Sequence, residues 1–204
     1  MIYVTGDTHG DINFFKSAKL KKLTEDDTLI ICGDFGFLWN GSDKEKKALD
    51  ILKKKKYTIC FVDGAHENYE MLATYQPYRF KGGNANKIAD NIFRLLRGEI
   101  FTFEGKTWWK EEMPSTEELM NGAQNLKDNE YKIDYVLTYE APALAKDFIR
   151  LHTNQEMHLT PLNNYLQELM KSVEYEHWYF GSLHMDLNIS KKMTAVFNEV
   201  IAIK

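Results

Sequence analysis

The sequence predicts an α/β fold in which two sheets have helices outside them. In the first part of the chain, short apolar runs alternate with helical patterns, an order that is typical of buried strands joined by crossover helices. After residue 90, further strand-like runs follow with shorter connections, as a second sheet would give. The chain has 204 residues, of which 44% are hydrophobic. We therefore expect one domain, spanning residues 1–204.

The first part of the chain predicts three strands, each followed by a helix. The strands are apolar runs that cover residues 1–7, 28–34 and 57–64. The segments after them predict helices over residues 11–23, 42–56 and 67–75. In the first of these helices, apolar side chains keep helical spacing at Ile12, Phe15, Ala18 and Leu23.

The second part predicts more strands and two further helices. The strand-like runs cover residues 91–96, 98–105, 134–139, 177–182 and 194–203. One helix is predicted over 115–128, because Ser115 and Glu118 have the spacing of a capping box. The other is predicted over 160–173, since it opens on a threonine followed by a proline.

Composition excludes several classes of protein. The net charge of −4 argues against a general nucleic-acid binder, which would have a basic surface. The first residues do not resemble a signal peptide, and no run of apolar residues is long enough for a transmembrane helix. We therefore expect a cytoplasmic protein without a membrane partner. Cys32 and Cys60 lie in apolar strand-like runs, which favours buried free thiols over a disulfide.

Small, acidic and histidine residues gather where predicted strands end. The segments are "TGDTHGD" (5–11), "CGDFGF" (32–37), "DGAHEN" (63–68), "LTYEAP" (137–142) and "FGSLHMD" (180–186). In open α/β sheets, ligands bind beyond the carboxyl ends of the strands. Asp7 and His9, two residues apart, can chelate one ion, and Asp34 and His184 could complete the site. Taken singly, each has a plainer interpretation, as a helix cap or a structural histidine.

The order of these motifs resembles the calcineurin-like metallophosphoesterase family. That family has D-x-H, then GD, GNH[DE], a lone histidine and GHxH, against "GDTHG", "GDFG", "GAHEN", "LTYEAP" and "GSLH" here. The resemblance covers nearly the whole chain. The segments "GDFGFLW" and "WWKEEMPS" are similar to those of small members from Gram-positive bacteria and their phages. The resemblance to this family implies a four-layer α/β/β/α sandwich of two mixed sheets, with paired metal ions that activate water to hydrolyse phosphate esters.

The resemblance implies one intact metal site and one lost site. The first metal would be held by residues that are all present, Asp7, His9, Asp34 and His184. The second would share Asp34, but its other ligands are replaced by Ala65, Tyr139 and Ser182. We therefore expect one divalent metal, which the carboxylate and imidazole ligands suggest is Mn, Fe or Zn. His66 corresponds to the family histidine that assists the leaving group as a general acid, although it could equally bind a phosphate.

The lost positions leave several interpretations open. A replacement ligand could come from Glu67, Glu140 or Asp186. Tyr139 and Ser182 either fill the old metal pocket or line a ligand pocket together with Ala65, where the tyrosine ring could stack on a base. A short connection before Trp108 and Trp109 would open the site, and these side chains would line its mouth or pack on the core.

Three functions follow from these expectations. The favoured one is a degenerate metallophosphoesterase that keeps one metal and binds a phosphate-containing ligand such as a nucleotide, with hydrolysis weak or lost. Binding without turnover would suit a regulator or a phage-type sequestering protein. The alternatives are an active phosphodiesterase or phosphatase that uses one metal or a rebuilt second site, and a protein-interaction module with a protein partner and a fossil site. Whether the chain is an enzyme is left open.

Overall fold

A computed structural model describes residues 1–104, 106–111 and 115–203, with the backbone alone for 106–111. Among the described residues, the first sheet is mixed and has seven strands. In spatial order they are β13 (Ile201–Ile203), β1 (Ile2–Thr5), β2 (Thr28–Cys32), β3 (Thr58–Val62), β6 (Ile92–Leu95), β5 (Gly83–Ala89) and β4 (Pro77–Phe80). The strands β1, β2, β3 and β6 pair in parallel, and the outer strands pair antiparallel.

The second sheet is also mixed and has six strands in the described part of the chain. In spatial order they are β11 (Leu187–Ser190), β12 (Met193–Ala195), β10 (Glu174–Phe180), β9 (Lys132–Thr138), β8 (Lys106–Glu111) and β7 (Ile100–Phe103). Its central strands β8, β9, β10 and β12 are parallel.

The α-helices are α1 (Asp43–Leu52), α2 (Tyr69–Leu72), α3 (Thr116–Asp128), α4 (Ala143–Thr153) and α5 (Pro161–Ser172). The capping box of Ser115 and Glu118 is present at the start of α3, as predicted. Within the described residues, none of the helices combines the length and the hydropathy needed to cross a bilayer.

Three apolar clusters give the fold its layers. The first lies between the sheets and joins residues such as Val4 of β1 to Leu137 of β9. The second covers the outer face of the first sheet and includes Leu52 of α1. The third covers the outer face of the second sheet and includes Leu166 of α5. The predicted order of helices, sheet, sheet and helices is therefore confirmed. Cys32 and Cys60 are buried in the first cluster as thiols that form no disulfide, also as predicted.

The prediction of one helix over residues 11–23 is wrong. This segment forms two short 3₁₀ helices, Phe14–Lys16 and Leu20–Lys22. The Asp11 carboxylate accepts a hydrogen bond from the Asn13 backbone N–H at 2.9 Å, a local turn that competes with helical hydrogen bonds. Of the predicted apolar positions, Phe15 and Leu23 are nevertheless buried, whereas Ala18 is exposed, so the spacing identified two core residues but not a continuous helix.

The predictions for two of the strand-like runs are also wrong. The run 91–96 forms β6 in the first sheet, where it pairs with β3. The run 194–203 splits into β12 in the second sheet and β13 in the first. Between them, Asp186 accepts hydrogen bonds from the backbone N–H groups of residues 197–199 at 2.7–3.2 Å. This turn carries the chain from one sheet to the other, which apolar content alone could not indicate.

Candidate metal centre

The predicted site residues lie on loops that follow parallel strands. Asp7 follows β1, Asp34 follows β2 and His66 follows β3, while His184 follows β10 in the second sheet. Because parallel strands end at the same edge of a sheet, these loops meet there. The chain fold thus gathers the residues that the motifs predicted.

Backbone hydrogen bonds fix the first two loops against each other. The N–H groups of Thr8 and His9 both donate to the Asp34 carbonyl oxygen, at 3.2 and 2.8 Å. The third loop approaches just as closely, since a Cβ on Gly64 would lie 2.1 Å from Asp34 Oδ1. Only glycine allows this approach, so the loops are held in one arrangement.

Three potential ligand atoms form a tight triangle. His9 Nε2 and His184 Nε2 are 2.9 Å apart, and they lie 3.8 and 3.1 Å from Asp7 Oδ2. Ligands about 2.1 Å from one ion are separated by roughly 3.0–3.4 Å at right or tetrahedral angles. The two distances from His184 Nε2 are close to this range and the 3.8 Å between His9 and Asp7 is wider, and the three side chains form a group that could hold an ion.

Asp7 carries the clearest sign of a missing partner in this triangle. Its side chain is 1% exposed, and Oδ2 has no hydrogen bond of normal geometry among the described residues. Burial, followed by the nearby charge of Asp34, raises the pKa of Asp7 to about 7. A buried carboxylate oxygen that faces two imidazoles fits a divalent ion, because the cation would offset both the burial and the charge repulsion.

The backbone of the site is strained at the predicted ligands. The φ angles are +45° at His9, +40° at Asp34 and +48° at His184, and Ser182 has +58°. Residues other than glycine rarely adopt this left-handed region, and such residues concentrate at functional sites. Sequence reasoning did not predict this feature, since none of these residue types specifically signals positive φ.

Asp34 is buried and held by groups on two other loops. Its Oδ1 accepts the His66 backbone N–H at 2.7 Å. Its Oδ2 accepts the Tyr139 hydroxyl at 3.1 Å and lies 2.9 Å from His66 Nδ1. His9 Nδ1 is 3.8 Å from the same oxygen. Asp34 therefore adjoins the triangle through His9, while its own oxygen atoms bind protein donors.

The deciding comparison is with models of protein families. The model described as calcineurin-like phosphoesterase matches residues 1–196. The chain belongs to the calcineurin-like phosphoesterase family. No protein in a search of curated sequences matches it. Members of this family are metal-dependent and act on phosphate-containing substrates. The side-chain group of Asp7, His9 and His184 is consistent with that dependence.

The three positions at which the resemblance implies lost second-metal ligands have other surroundings in the structure. Tyr139 is 7% exposed, and its ring lies so close to Gly33 that a Cβ there would be 2.1 Å from it. This ring is consequently too enclosed for a base to stack on it. Ser182 Oγ donates to Glu140 Oε1 at 2.9 Å, and Ala65 is exposed.

The carboxylates considered as replacement ligands also have partners of their own. Glu67 Oε1 accepts the Phe35 backbone N–H at 2.8 Å. Glu140 pairs with the buried Lys146, and Asp186 caps the turn at residues 197–199. None of these carboxylates belongs to the ion-holding groups found among the described residues. The expectation of a replacement ligand therefore finds no support in the geometry.

A second group of side chains could also hold an ion. It consists of His9, Asp34 and His66. His9 faces the two aspartates with different ring nitrogens, since its Nδ1 lies 3.8 Å from Asp34 Oδ2 and its Nε2 lies 3.8 Å from Asp7 Oδ2. The His66 side chain is 70% exposed, and its Nδ1 lies 2.9 Å from Asp34 Oδ2. The two groups thus share His9, and they define one centre with two faces.

A cavity of about 660 Å³ opens from this centre, and sequence reasoning did not predict it. Its lining includes His9 and His66 of the centre, together with Trp39 and residues of α1. Ala65, Tyr139 and Ser182 are not among its lining residues. The side chains of Trp108 and Trp109, which were predicted to line the mouth of the site or pack on the core, lie outside the described part of the structure. The exposed indole of Trp39, next to the "GDFG" motif, was the available signal for the cavity.

Proposed function

We propose that this chain binds one divalent metal ion and a phosphate-containing ligand such as a nucleotide, with hydrolysis weak or lost. The ion would be held by Asp7, His9 and His184, with Asp34 beside them. The observation that carries the proposal is the hydrogen bond from the Tyr139 hydroxyl to Asp34 Oδ2. This hydrogen bond occupies an oxygen atom of Asp34, the carboxylate that both metals of a two-metal centre would share.

The triangle supports the binding of one ion. Asp7 Oδ2 is buried and accepts no hydrogen bond from the described residues, and both imidazole Nε2 atoms are within 3.8 Å of it. A divalent ion held there would neutralise phosphate charge and polarise a phosphoryl oxygen. The role of the three side chains is to fix that charge at the end of the cavity, where a phosphate group can reach it.

The contacts of Asp34 argue against a second ion. Its Oδ2 receives the Tyr139 hydroxyl at 3.1 Å and adjoins His66 Nδ1 at 2.9 Å. A carboxylate oxygen has two lone pairs, and these donors are placed to use both. A second ion would need Tyr139 to move, but its ring packs tightly against Gly33. The local packing therefore favours the mononuclear form.

Charge also favours binding over rapid turnover. Asp7 and Asp34, when ionised, carry two negative charges, which one divalent ion would cancel. A two-metal site would retain a net positive charge to stabilise the transition state. Losing one such electrostatic element commonly lowers the rate by on the order of 10² to 10³. We therefore expect slow hydrolysis or none, which would suit a regulator or a sequestering protein.

His66 is the residue through which activity would persist. Asp34 holds its Nδ1 and its backbone N–H, which leaves Nε2 on the exposed side of the ring. From there it can donate a proton to a leaving group or a hydrogen bond to a phosphate oxygen. These two roles differ in a turnover assay, because only the first contributes to kcat.

The second candidate function is an active phosphodiesterase or phosphatase. The group of His9, Asp34 and His66 favours it, since these side chains could hold an ion on the other face of the centre. In that arrangement His66 would be a ligand and could not act as the acid. An active enzyme would thus require Tyr139 to release Asp34 Oδ2.

Hydrolysis of bis(4-nitrophenyl) phosphate by manganese-loaded protein separates the two candidates. The proposal predicts turnover close to background, together with a rise in melting temperature when inorganic phosphate is added to the metal-loaded protein. Turnover that is abolished in Asp34→Asn would establish the active enzyme instead. The matched control is Asp90→Asn, which alters an exposed aspartate paired with Lys87 away from the centre. This control should leave every readout unchanged.

A further inference from the structure

We propose that the cavity beside the metal centre binds a planar aromatic group carried by the phosphate ligand, with Trp39 as the stacking surface. The inference rests on the proposed function, because the metal centre is what would hold the phosphate. A nucleotide, which joins a flat base to a phosphate, is the biological ligand class that fits this description. The inference adds the location and the residues of the site for its organic part.

The cavity has the size and continuity that such a ligand needs. Its volume of about 660 Å³ lies within the range of small-molecule sites, roughly 300–1,000 Å³. His9 and His66 line it, and both also belong to the ion-holding groups. A phosphate at the metal centre would therefore direct its organic group into this space. The apolar part of the wall includes Ile12, Phe37 and Ile51.

Trp39 presents an exposed indole on a fixed backbone. Its side chain is 49% exposed, which is unusual for tryptophan and is typical of binding surfaces. The backbone N–H of Trp39 donates to the Glu45 carboxylate, and its backbone carbonyl oxygen accepts a hydrogen bond from the side-chain amide of Asn68. Asn68 also caps α2, directly after the His66 loop. The Asn68 side chain thus connects the part of the cavity wall at Trp39 to the part at His66. Ligand binding would therefore require little further ordering of these residues.

The charged residues of the wall suit an anionic ligand. Lys44 and Lys47 line the cavity and are exposed, and within the described residues neither forms an ion pair. The carboxylate of Glu45 binds the backbone N–H groups of Trp39, Asn40 and Gly41 instead of a lysine. Because Glu45 also lines the cavity, the two lysines leave this wall with one net positive charge beside a nearly neutral metal centre.

The test is calorimetric titration of manganese-loaded protein with phenylphosphonate and methylphosphonate, which contain no ester bond to hydrolyse. We expect phenylphosphonate to bind roughly tenfold more tightly, as stacking on an aromatic side chain would give. Trp39→Ala should bring the two dissociation constants together by weakening phenylphosphonate alone. Trp39→Phe should preserve most of the difference. If Trp39→Ala does not fold, Trp39→Leu provides the comparison, because it keeps apolar volume without a ring.

A matched set of lysine variants tests the charged wall. Lys44→Ala and Lys47→Ala should each weaken both phosphonates about two- to fivefold. Lys46→Ala is the control, since Lys46 is on the same helix, does not line the cavity and lies 3.9 Å from Asp43. Equal affinity of the wild type for both phosphonates would overturn the inference and leave the proposed function standing, as would a preference that survives in Trp39→Ala. If neither phosphonate bound to metal-loaded protein, the proposed function itself would fail.

Discussion

The hydroxyl of Tyr139 donates a hydrogen bond to Asp34 Oδ2 over 3.1 Å. By the family pattern, Tyr139 stands where a second-metal histidine would be, and Asp34 is the carboxylate that would bridge the two metals. On this assignment, tyrosine at position 139 would replace a ligand, and its hydroxyl donates to the carboxylate that would bridge the metals. The tyrosine is buried against Gly33, so this donor is part of the folded core of the site.

Tyr139→Phe should destabilise the metal-free protein. The substitution removes a buried hydrogen bond to a carboxylate, and such bonds contribute about 1.5–3 kcal/mol. We expect a loss of about 1–2 kcal/mol in the free energy of unfolding, because Asp34 keeps its contacts with His66. Urea denaturation with an unchanged m-value would measure it.

The control for this change is Tyr57→Phe. The Tyr57 hydroxyl is buried, and among the described residues it has no hydrogen-bond partner. Its removal should be neutral or stabilising, since it relieves an unpaired polar group. Equal destabilisation by both substitutions would show that the Tyr139 hydroxyl makes no specific contribution.

Restoring the family ligands should rebuild the second metal site. The variant Ala65→Asn, Tyr139→His and Ser182→His should bind two manganese ions. Its hydrolysis of bis(4-nitrophenyl) phosphate should exceed that of the wild type by on the order of 10² or more. The variant with Ala65→Asn and Ser182→His alone is the control, because Tyr139 would still bind Asp34. Two ions in this control would mean that Tyr139 does not block the second site.

His184→Ala should remove metal binding. His184 Nε2 lies 2.9 Å from His9 Nε2 and 3.1 Å from Asp7 Oδ2, so the triangle loses one of its three atoms. Manganese at about 100 times its dissociation constant should stabilise the wild type by about 2.7 kcal/mol and the variant by much less. Thermal unfolding with and without manganese measures the difference. The control is His152→Ala, which removes an exposed histidine stacked on Phe148 of α4.

Metal affinity should rise with pH up to about pH 7. The pKa of Asp7 is raised to about 7, above its value in the unfolded chain, so the folded metal-free protein keeps a proton that the unfolded chain releases near pH 4. Stability of the metal-free protein should consequently fall as pH rises through this window. Because the ion replaces the proton, Asp7 should contribute up to about tenfold in affinity per pH unit below pH 7.

Calorimetric titration with manganese across this range would measure the effect. Asp7→Asn cannot ionise, so it should flatten the stability profile between about pH 4 and pH 7 and bind manganese weakly throughout. A stability profile of Asp7→Asn that paralleled the wild type would remove Asp7 as the origin of the dependence.

The layers of the fold and the grouping of the site residues could be predicted from sequence, whereas individual elements were less predictable. Motifs at strand ends predicted that Asp7, His9 and His184 lie together, and the structure places them so because their strands end near one edge, while their role as metal ligands stays a prediction. The prediction of a helix over 11–23 was wrong, because Asp11 forms a local turn and the spacing of apolar residues does not indicate its hydrogen bond. Strand β6 was placed in the wrong sheet, because its apolar content fits either one.

The contacts of the lost ligands could not be predicted. Nothing in the residue type of Tyr139 indicates that its hydroxyl points to Asp34 or that Gly33 leaves room for its ring. The positive φ angles at His9, Asp34 and His184 depend on the meeting of separate loops, as does the cavity beside Trp39. Such features arise from tertiary packing, so single-sequence patterns do not contain them.

Metal stoichiometry tests the central claim most directly. Protein loaded with manganese and then desalted would be measured by elemental analysis, with His184→Ala as the negative control and the three-residue restored variant as the positive control. We predict one ion per chain in the wild type, none in His184→Ala and two in the restored variant. Two ions per wild-type chain would contradict the claim, because Asp34 would then bridge metals despite its hydrogen bond from Tyr139.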